Sequence, residues 1–322
     1  SNYEKNGILG INIHMNYFVM HCNYTYPAKN SQGSERVVEA LTKGFVKLGH
    51  ETVMHINPNS KNTPAPVVAE IPQTFDIVHC QGENFSNCGI PWISSVHGGG
   101  NDSLDAPWKT DPHFVCVSDY ICKLVGKKQF VHSCVDPDDF IYSDKKDDYF
   151  LWYSGLDWGW TNKGLDVALS LAKKMGFKLK IAGAGKNQQI IDEIKRHCNS
   201  KIEYVGPVNG QQKAELISKA KAFIFYTRLN DACPLTVSEA LISGTPVIAS
   251  TNGSLPELIV NEQTGFLCKN ENELPKAIAN IQKINPEDCR KYAMEHFSNI
   301  VACEKYIKLY NNMILYGTVE DR

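Results

Sequence analysis

The sequence predicts an α/β protein in which two doubly wound parallel-sheet domains face each other across a cleft. Three observations carry this. Short apolar, β-branched runs alternate with longer stretches of helical period, the pattern of parallel strands joined by helices. The pattern breaks in a segment rich in Asp, Lys and Pro, residues 136–148, and restarts at residue 149. The 322 residues also exceed what one hydrophobic core usually organises, so two domains are expected.

Taken in order, residues 8–13, 51–56, 76–80, 92–96, 114–117 and 130–132 read as strands of the first domain. Between the first two, residues 35–48 place Val37, Val38, Leu41, Phe45, Val46 and Leu48 at helical spacing, and Gly49 supplies the stop. Residues 149–154 reopen the pattern. A loop rich in Gly, Trp and Asn follows, then a helix over 165–175 and strands over 178–182, 202–205, 222–226 and 246–249. A helical stretch over 300–315 comes last, so the expected division is 1–140, 141–299 and a closing segment, 300–322.

Composition narrows the function classes. Lys and Arg total 33 against 35 Asp and Glu, which gives no electrostatic footprint for nucleic acid or a strongly anionic partner. The eleven cysteines form an odd set without a C-x-x-C pair or zinc spacing, and Cys80, Cys116 and Cys134 sit in core-like segments. Buried free thiols suit the cytoplasm. No apolar run approaches the roughly 20 residues that span a bilayer, and the N-terminus lacks the order of a secretory signal. The expectation is a soluble protein without a transmembrane segment, peripheral membrane contact being left open. Ser1 and Asn2 read as an expression scar and carry no argument.

The chemistry concentrates in residues 230–250, NDACPLTVSEALISGTPVIAS. This stretch follows the strand over 222–226 and so lies at the carboxyl end of a parallel sheet, where α/β folds bind ligands. Pro234 suits the first position of a helix, because it has no N–H to leave unsatisfied there. The free N–H groups beside it would point at an anion, with the helix dipole adding attraction. A diphosphate held along Cys233, Pro234, Leu235 and Thr236 fits that description. Seven residues separate Asp231, before the helix, from Glu239, within it, so one carboxylate can face a sugar and the other a ribose. A helix cap at Asp231 and a solvated Glu239 are the plain structural alternatives.

These residues resemble the signature of the retaining GT-B glycosyltransferases of the glycogen-synthase and bacterial mannosyltransferase group, glycosyl transferases group 1. In that signature two Glu flank seven residues and an E-A-hydrophobic-x-x-G-x-P-V run follows; Glu239-Ala240, Gly244-Thr245-Pro246-Val247 and Pro256-Glu257 match it. The resemblance implies two Rossmann-like domains, the N-terminal one on the acceptor side and the C-terminal one holding a nucleotide-diphosphate sugar. It gives Glu239 the donor ribose. It gives Asp231, one methylene shorter than the family's Glu, the donor-sugar hydroxyls. Lys163-Gly164 matches the family's diphosphate lysine, whereas Leu156, after Gly155, stands where the family carries a second cation, arginine. Trp158 and Trp160 either pack this longer loop or stack on a sugar.

Gly183-Ala184-Gly185 matches the family's turn at the donor pocket and equally suits a plain strand-to-helix turn. Gly206-Pro207 matches the loop whose backbone meets the nucleobase. In the first domain Gln32-Gly33-Ser34-Glu35-Arg36 resembles the family's G-G-x-E-R loop, in which Gly33 lets backbone approach the donor phosphate and Ser34 touches substrate or caps the helix. His97, followed by Gly98-Gly99-Gly100, resembles the family's H-G strand end and is placed in the cleft. His79 shares the strand-end logic with less context. Ser118, Val135-Asp136-Pro137 and the tail from Phe297-Ser298 to Tyr310 match further landmarks, the tail crossing back toward the first domain.

The implied reaction is metal-independent transfer of a sugar, with retained configuration, to an acceptor hydroxyl on a glycan, a lipid-linked sugar or a small molecule. Lys163, Asp231 and His97 would carry the chemistry. No cofactor is expected beyond the donor substrate, and no metal, since no Asp-x-Asp pair accompanies the donor motifs. A nucleotide-sugar-binding subunit without turnover, or an epimerase or phosphorylase on the same architecture, are the alternatives.

Overall fold

The computed structural model describes residues 17–26, 33–82, 85–98, 107–157 and 159–320. In the first half, strands β1 (Tyr17–His21), β2 (Glu51–His55), β3 (Ile77–Gln81), β4 (Trp92–Val96) and β5 (Phe114–Cys116) accompany helices α1 (Gly33–Lys47) and α2 (Asp119–Val125). In the second half the strands are β6 (Phe150–Tyr153), β7 (Leu179–Ala182), β8 (Ile202–Gly206), β9 (Ala222–Phe225), β10 (Val247–Ser250) and β11 (Gly265–Cys268). They alternate with α3 (Leu165–Met175), α4 (Gln188–His197), α5 (Gly210–Lys219), α6 (Leu235–Ile242), α7 (Leu255–Leu258) and α8 (Leu274–Asn280). Helices α9 (Pro286–Phe297) and α10 (Asn299–Tyr316) follow.

Two sheets result, ordered β2-β1-β3-β4-β5 and β11-β10-β9-β6-β7-β8, with every neighbouring pair parallel. The architecture is the expected α/β pair of parallel sheets. Parallel sheets need cover on both faces, and β3, β4, β6, β9 and β10 are accordingly buried along their whole length. The order reverses between β1 and β3 in the first sheet and between β6 and β9 in the second. At such a reversal the loops after the two strands leave in opposite directions and open a crevice at the carboxyl edge. The loop after β6 carries Lys163 and the loop after β9 carries Asp231, so the second crevice lies between them.

One expectation falls outside the described residues, and several others need correction. The strand expected over 8–13 falls outside the described residues, and β1, whose apolar Phe18-Val19-Met20 sits between Tyr17 and His21, takes the place between β2 and β3. Residues 130–132 make only a single bridge from Phe130 to Cys116 instead of a strand. β11 was not expected, because it is four residues long and opens on Gly265. Pro234 is the extended residue ahead of α6 (φ −69°, ψ 111°), and Leu235 is the first helical one. Ser34 lies inside the first turn of α1, where it cannot act as the cap.

The chain end is tied to the first sheet. The Val135 N–H donates to the Phe297 carbonyl and the Asn299 N–H to the Val135 carbonyl, both at 2.9 Å, where the two connecting strands of chain pass each other. Beyond that point α10 lies along α1, with Asn299 Nδ2 donating to the Ala40 carbonyl at 3.0 Å. His79 is not at a strand end; it is enclosed within β3, 2.8 Å from the Tyr310 hydroxyl of α10 and 2.7 Å from Ser95 Oγ of β4. All eleven cysteines are free thiols. Among the described residues no helix is long and apolar enough to cross a membrane.

Candidate functional site

Lys163 and Asp231, sixty-eight residues apart, meet at the carboxyl edge of the second sheet, Lys163 Nζ 3.3 Å from Asp231 Oδ1. The lysine backbone is fixed by local rules. Its carbonyl accepts from Trp152 Nε1 at 3.0 Å, and Gly164 beside it has φ +73°. A Cβ on Gly164 would lie 2.1 Å from the Tyr226 carbonyl oxygen, so only glycine lets the loop turn into α3 against β9. Lys163 Nζ also stands over the Phe225 ring at 5.6 Å. The ammonium is held, yet the lysine side chain is 23% exposed and so within reach of an anion.

Thr227 and Arg228, which the sequence reading passed over, join the two loops. The Thr227 hydroxyl lies 3.1 Å from both the Asn162 carbonyl and Asp231 Oδ2 and accepts from the Leu229 N–H at 3.0 Å. Arg228 reaches Thr161 O at 2.6 Å, Asp166 at 3.0 Å and Glu271 at 3.1 Å, which commits its guanidinium to bracing the lysine loop. From below, the Ser254 N–H donates to the Asp231 carbonyl at 3.0 Å. Their only signal in the sequence was position, just after the strand that leads into the Asp231 loop.

No side chain caps α6. Its entrance, Cys233 through Thr236, therefore offers backbone N–H groups beside Asp231, and the buried Thr236 hydroxyl has no partner among the described residues. Crowding pushes the Cys233 thiol up to about 12, so it stays protonated and contributes as backbone. Gly33, first residue of α1, faces this entrance: a Cβ there would be 3.6 Å from Leu235 Cδ1. The starts of α1 and α6 thus meet across the cleft, with Ser34 one residue further along.

Glu239 lies one turn into α6 and is 1% exposed. Its Oε1 accepts from Lys213 of α5 at 2.6 Å and from Arg36 of α1 at 2.9 Å, and the Tyr153 hydroxyl is 3.2 Å from Oε2. Burial pushes its carboxyl up, but Lys213 and then Arg36 outweigh burial and hold it below the usual range. Burial, and next to it Arg36, pulls the Lys213 ammonium down while Glu239 opposes them. The solvated alternative for Glu239 is thereby excluded. A cavity of about 800 Å³ opens on this cluster, walled by Arg36, Lys43, Asp139, Phe140, Lys213 and Glu239. Lys163 and Asp231 do not line it.

The glycine turns sit together. Gly183 follows β7, where a Cβ would come within 2.0 Å of the Ser154 carbonyl, and its N–H donates to the Gly206 carbonyl at 3.0 Å. Pro207 follows at the end of β8. Gly155 precedes Leu156, which is enclosed and packs its side chain beneath Gly183 and Gly185. The position at which the family carries a cation is thus an apolar plug. Trp160 packs against the core and lies 5.7 Å from the His197 ring, which is the packing alternative; Trp158, Gln32, Gly99 and Gly100 lie outside the described residues. Across the cleft His97 follows β4 with its Nε2 against Gln81 Oε1.

Comparison with known proteins agrees with this architecture. A family model described as glycosyl transferases group 1 matches residues 142–296. An uncharacterized glycosyltransferase of Methanocaldococcus jannaschii is 27% identical over 263 residues, 72% of this chain and 73% of the relative. Glycogen synthase of Mycobacterium tuberculosis is 32% identical over 113 residues, which is 33% of this chain and 27% of that enzyme. AviGT4, a glycosyltransferase involved in avilamycin A biosynthesis, superposes with a TM-score of 0.77 at 23% identity, covering 93% of this chain and 98% of its own. Anabaena HepE in complex with UDP-glucose superposes with a TM-score of 0.68 at 12% identity, covering 92% and 99%. The shared architecture is the GT-B fold.

Proposed function

We propose that this chain, whose residues 142–296 match the group 1 glycosyltransferase family model, moves a sugar from a nucleotide-diphosphate donor to an acceptor hydroxyl with retained configuration and without a metal. The observation that carries the reading is the Lys163–Asp231 pair at the uncapped entrance of α6, on the crevice where the second sheet reverses. An ammonium and backbone N–H groups suit a diphosphate, and a carboxylate suits sugar hydroxyls. HepE, of the same fold, has been crystallised with UDP and with UDP-glucose, which supports a donor of this class.

In this reading residues 141–299 hold the donor and residues 1–140 the acceptor, with 300–322 returning to the first domain. Lys163 and the entrance of α6, Cys233 to Thr236, receive the diphosphate. Asp231 and His97 face the transferred sugar, Glu239 takes the ribose, and the Gly206-Pro207 backbone meets the base. Gly33 and Ser34 close on the phosphates, while Gly155, Gly183 and Gly185 shape the floor. The acceptor oxygen bonds to the anomeric carbon on the face that the diphosphate leaves. The proton of that hydroxyl passes to the departing phosphate oxygen, and the charge growing there is met by groups already in place.

Turnover of nucleotide sugar is expected to survive EDTA unchanged, because the groups assigned to the diphosphate are a lysine and helix N–H donors. Activity that disappears with EDTA and returns with magnesium or manganese would contradict the metal-free reading.

A further inference from the structure

β3 and β4 end side by side at the carboxyl edge of the first sheet, Gln81 closing β3 and His97 following β4. Gln81 is 8% exposed, and among the described residues its buried Nε2 has no hydrogen-bond partner. The amide oxygen alone is engaged, by His97 Nε2. An amide oxygen can only accept, so that ring nitrogen must carry the imidazole proton, and a neutral ring then presents Nδ1 as a bare acceptor.

The ring is kept neutral by its surroundings. The residue is half-buried, and desolvation by its packing pushes the His97 pKa down to about 4. Burial first, and then His97, brings the neighbouring His79 on β3 down to about 3. His79 is in turn held between Ser95 and Tyr310, and Ser95 Oγ lies 2.6 Å from the Tyr306 hydroxyl of α10. Neither imidazole is a cation near neutral pH, so what His97 offers the cleft depends on which nitrogen holds its proton.

We propose that Gln81 is the positioning residue of the acceptor-side cleft: it locks His97 in the Nε2–H tautomer, so that Nδ1 accepts a hydrogen bond from a carbohydrate hydroxyl. The tautomer stands on the geometry alone, whereas the hydroxyl rests on the proposed sugar transfer. With the proton on the other nitrogen, His97 would present a donor and reverse the hydrogen bond.

The test uses the full chain labelled with 15N-histidine, with the His97 signals identified by their loss in His97→Asn. Long-range proton–nitrogen correlation at neutral pH is expected to show a protonated Nε2 and a bare Nδ1. Gln81→Met should move the proton, wholly or in part, to Nδ1 and lower kcat/KM for glucose release from UDP-, GDP- and ADP-glucose about tenfold, the scale of one hydrogen bond. Gln81→Glu at pH 8, which keeps an acceptor for Nε2–H, should restore both the tautomer and the rate. A wild-type proton on Nδ1, or a Gln81→Met tautomer identical to wild type, overturns the lock. A tautomer that moves while kcat/KM stays within twofold overturns the assigned role toward the hydroxyl. Absence of turnover in the wild type would count against the transferase reading, and the tautomer would still be read from the spectrum.

Discussion

Lys163→Ala is expected to lower kcat about a hundredfold at saturating donor while weakening donor binding far less. The size follows from the shortage of cations at this loop. Leu156 fills the place of the family's arginine with a buried apolar side chain. Arg228 is spent on Asp166 and Glu271, and Arg36 and Lys213 both hold Glu239. The lysine is also preorganised, its carbonyl held by Trp152 and its ammonium by Asp231 and the Phe225 face, so little reorganisation is needed as charge grows on the diphosphate. Steady-state turnover of wild type and variant across donor concentrations separates kcat from KM. A rise in KM alone would mean that the lysine binds ground and transition states equally and that another group meets the leaving group.

Glu239→Ala is expected to cost about 3–5 kcal/mol of stability, the scale seen when one partner of a buried ion pair is removed. Lys213 would be left with 9% of its side chain exposed and without its carboxylate. The same substitution should weaken nucleoside diphosphate binding at least about tenfold through loss of a charged acceptor for the ribose. Glu239→Gln separates the two effects, since the amide keeps the shape and one acceptor. The folded carboxyl titrates below its ordinary range, so its stabilisation is complete above the unfolded value of about 4.3 and is lost as pH falls through the lower folded value. Denaturant midpoints between pH 3 and 7 should therefore fall more steeply at the acid end in wild type than in Glu239→Gln; parallel curves would show that the carboxylate adds no net stability.

What the sequence disclosed and what it hid follow one rule: local patterns were legible and pairings were not. α3 could be read because its apolar period lies between Gly164 and Gly176, both in the left-handed region, and it begins and ends where expected. β6, β9 and β10 were visible as continuous apolar runs, since parallel strands are buried on both faces. β11 was hidden by its length and its opening glycine, and β1 by the polar Asn and His around its short apolar centre. At the site, Lys163 and Asp231 stood out one by one, each on a loop after a strand. The ion cluster did not, because Arg36, Lys213 and Glu239 come from three helices, and Lys213 sits in a stretch that resembles any amphipathic surface helix. Gln81 carries no charge and no motif, so only its place beside His97 singles it out.

The central claim, turnover of a nucleotide sugar with retention, is tested most directly by proton NMR of UDP-, GDP- and ADP-glucose incubated together with the protein, watching the first free glucose released to water as acceptor. All three donors carry the glucosyl group in the α configuration. The account predicts α-glucose appearing first, with the β-anomer growing in later by mutarotation, and no release by Lys163→Ala on the same timescale. β-Glucose appearing first would contradict retention, and intact donors beside a protein that binds them would contradict transfer.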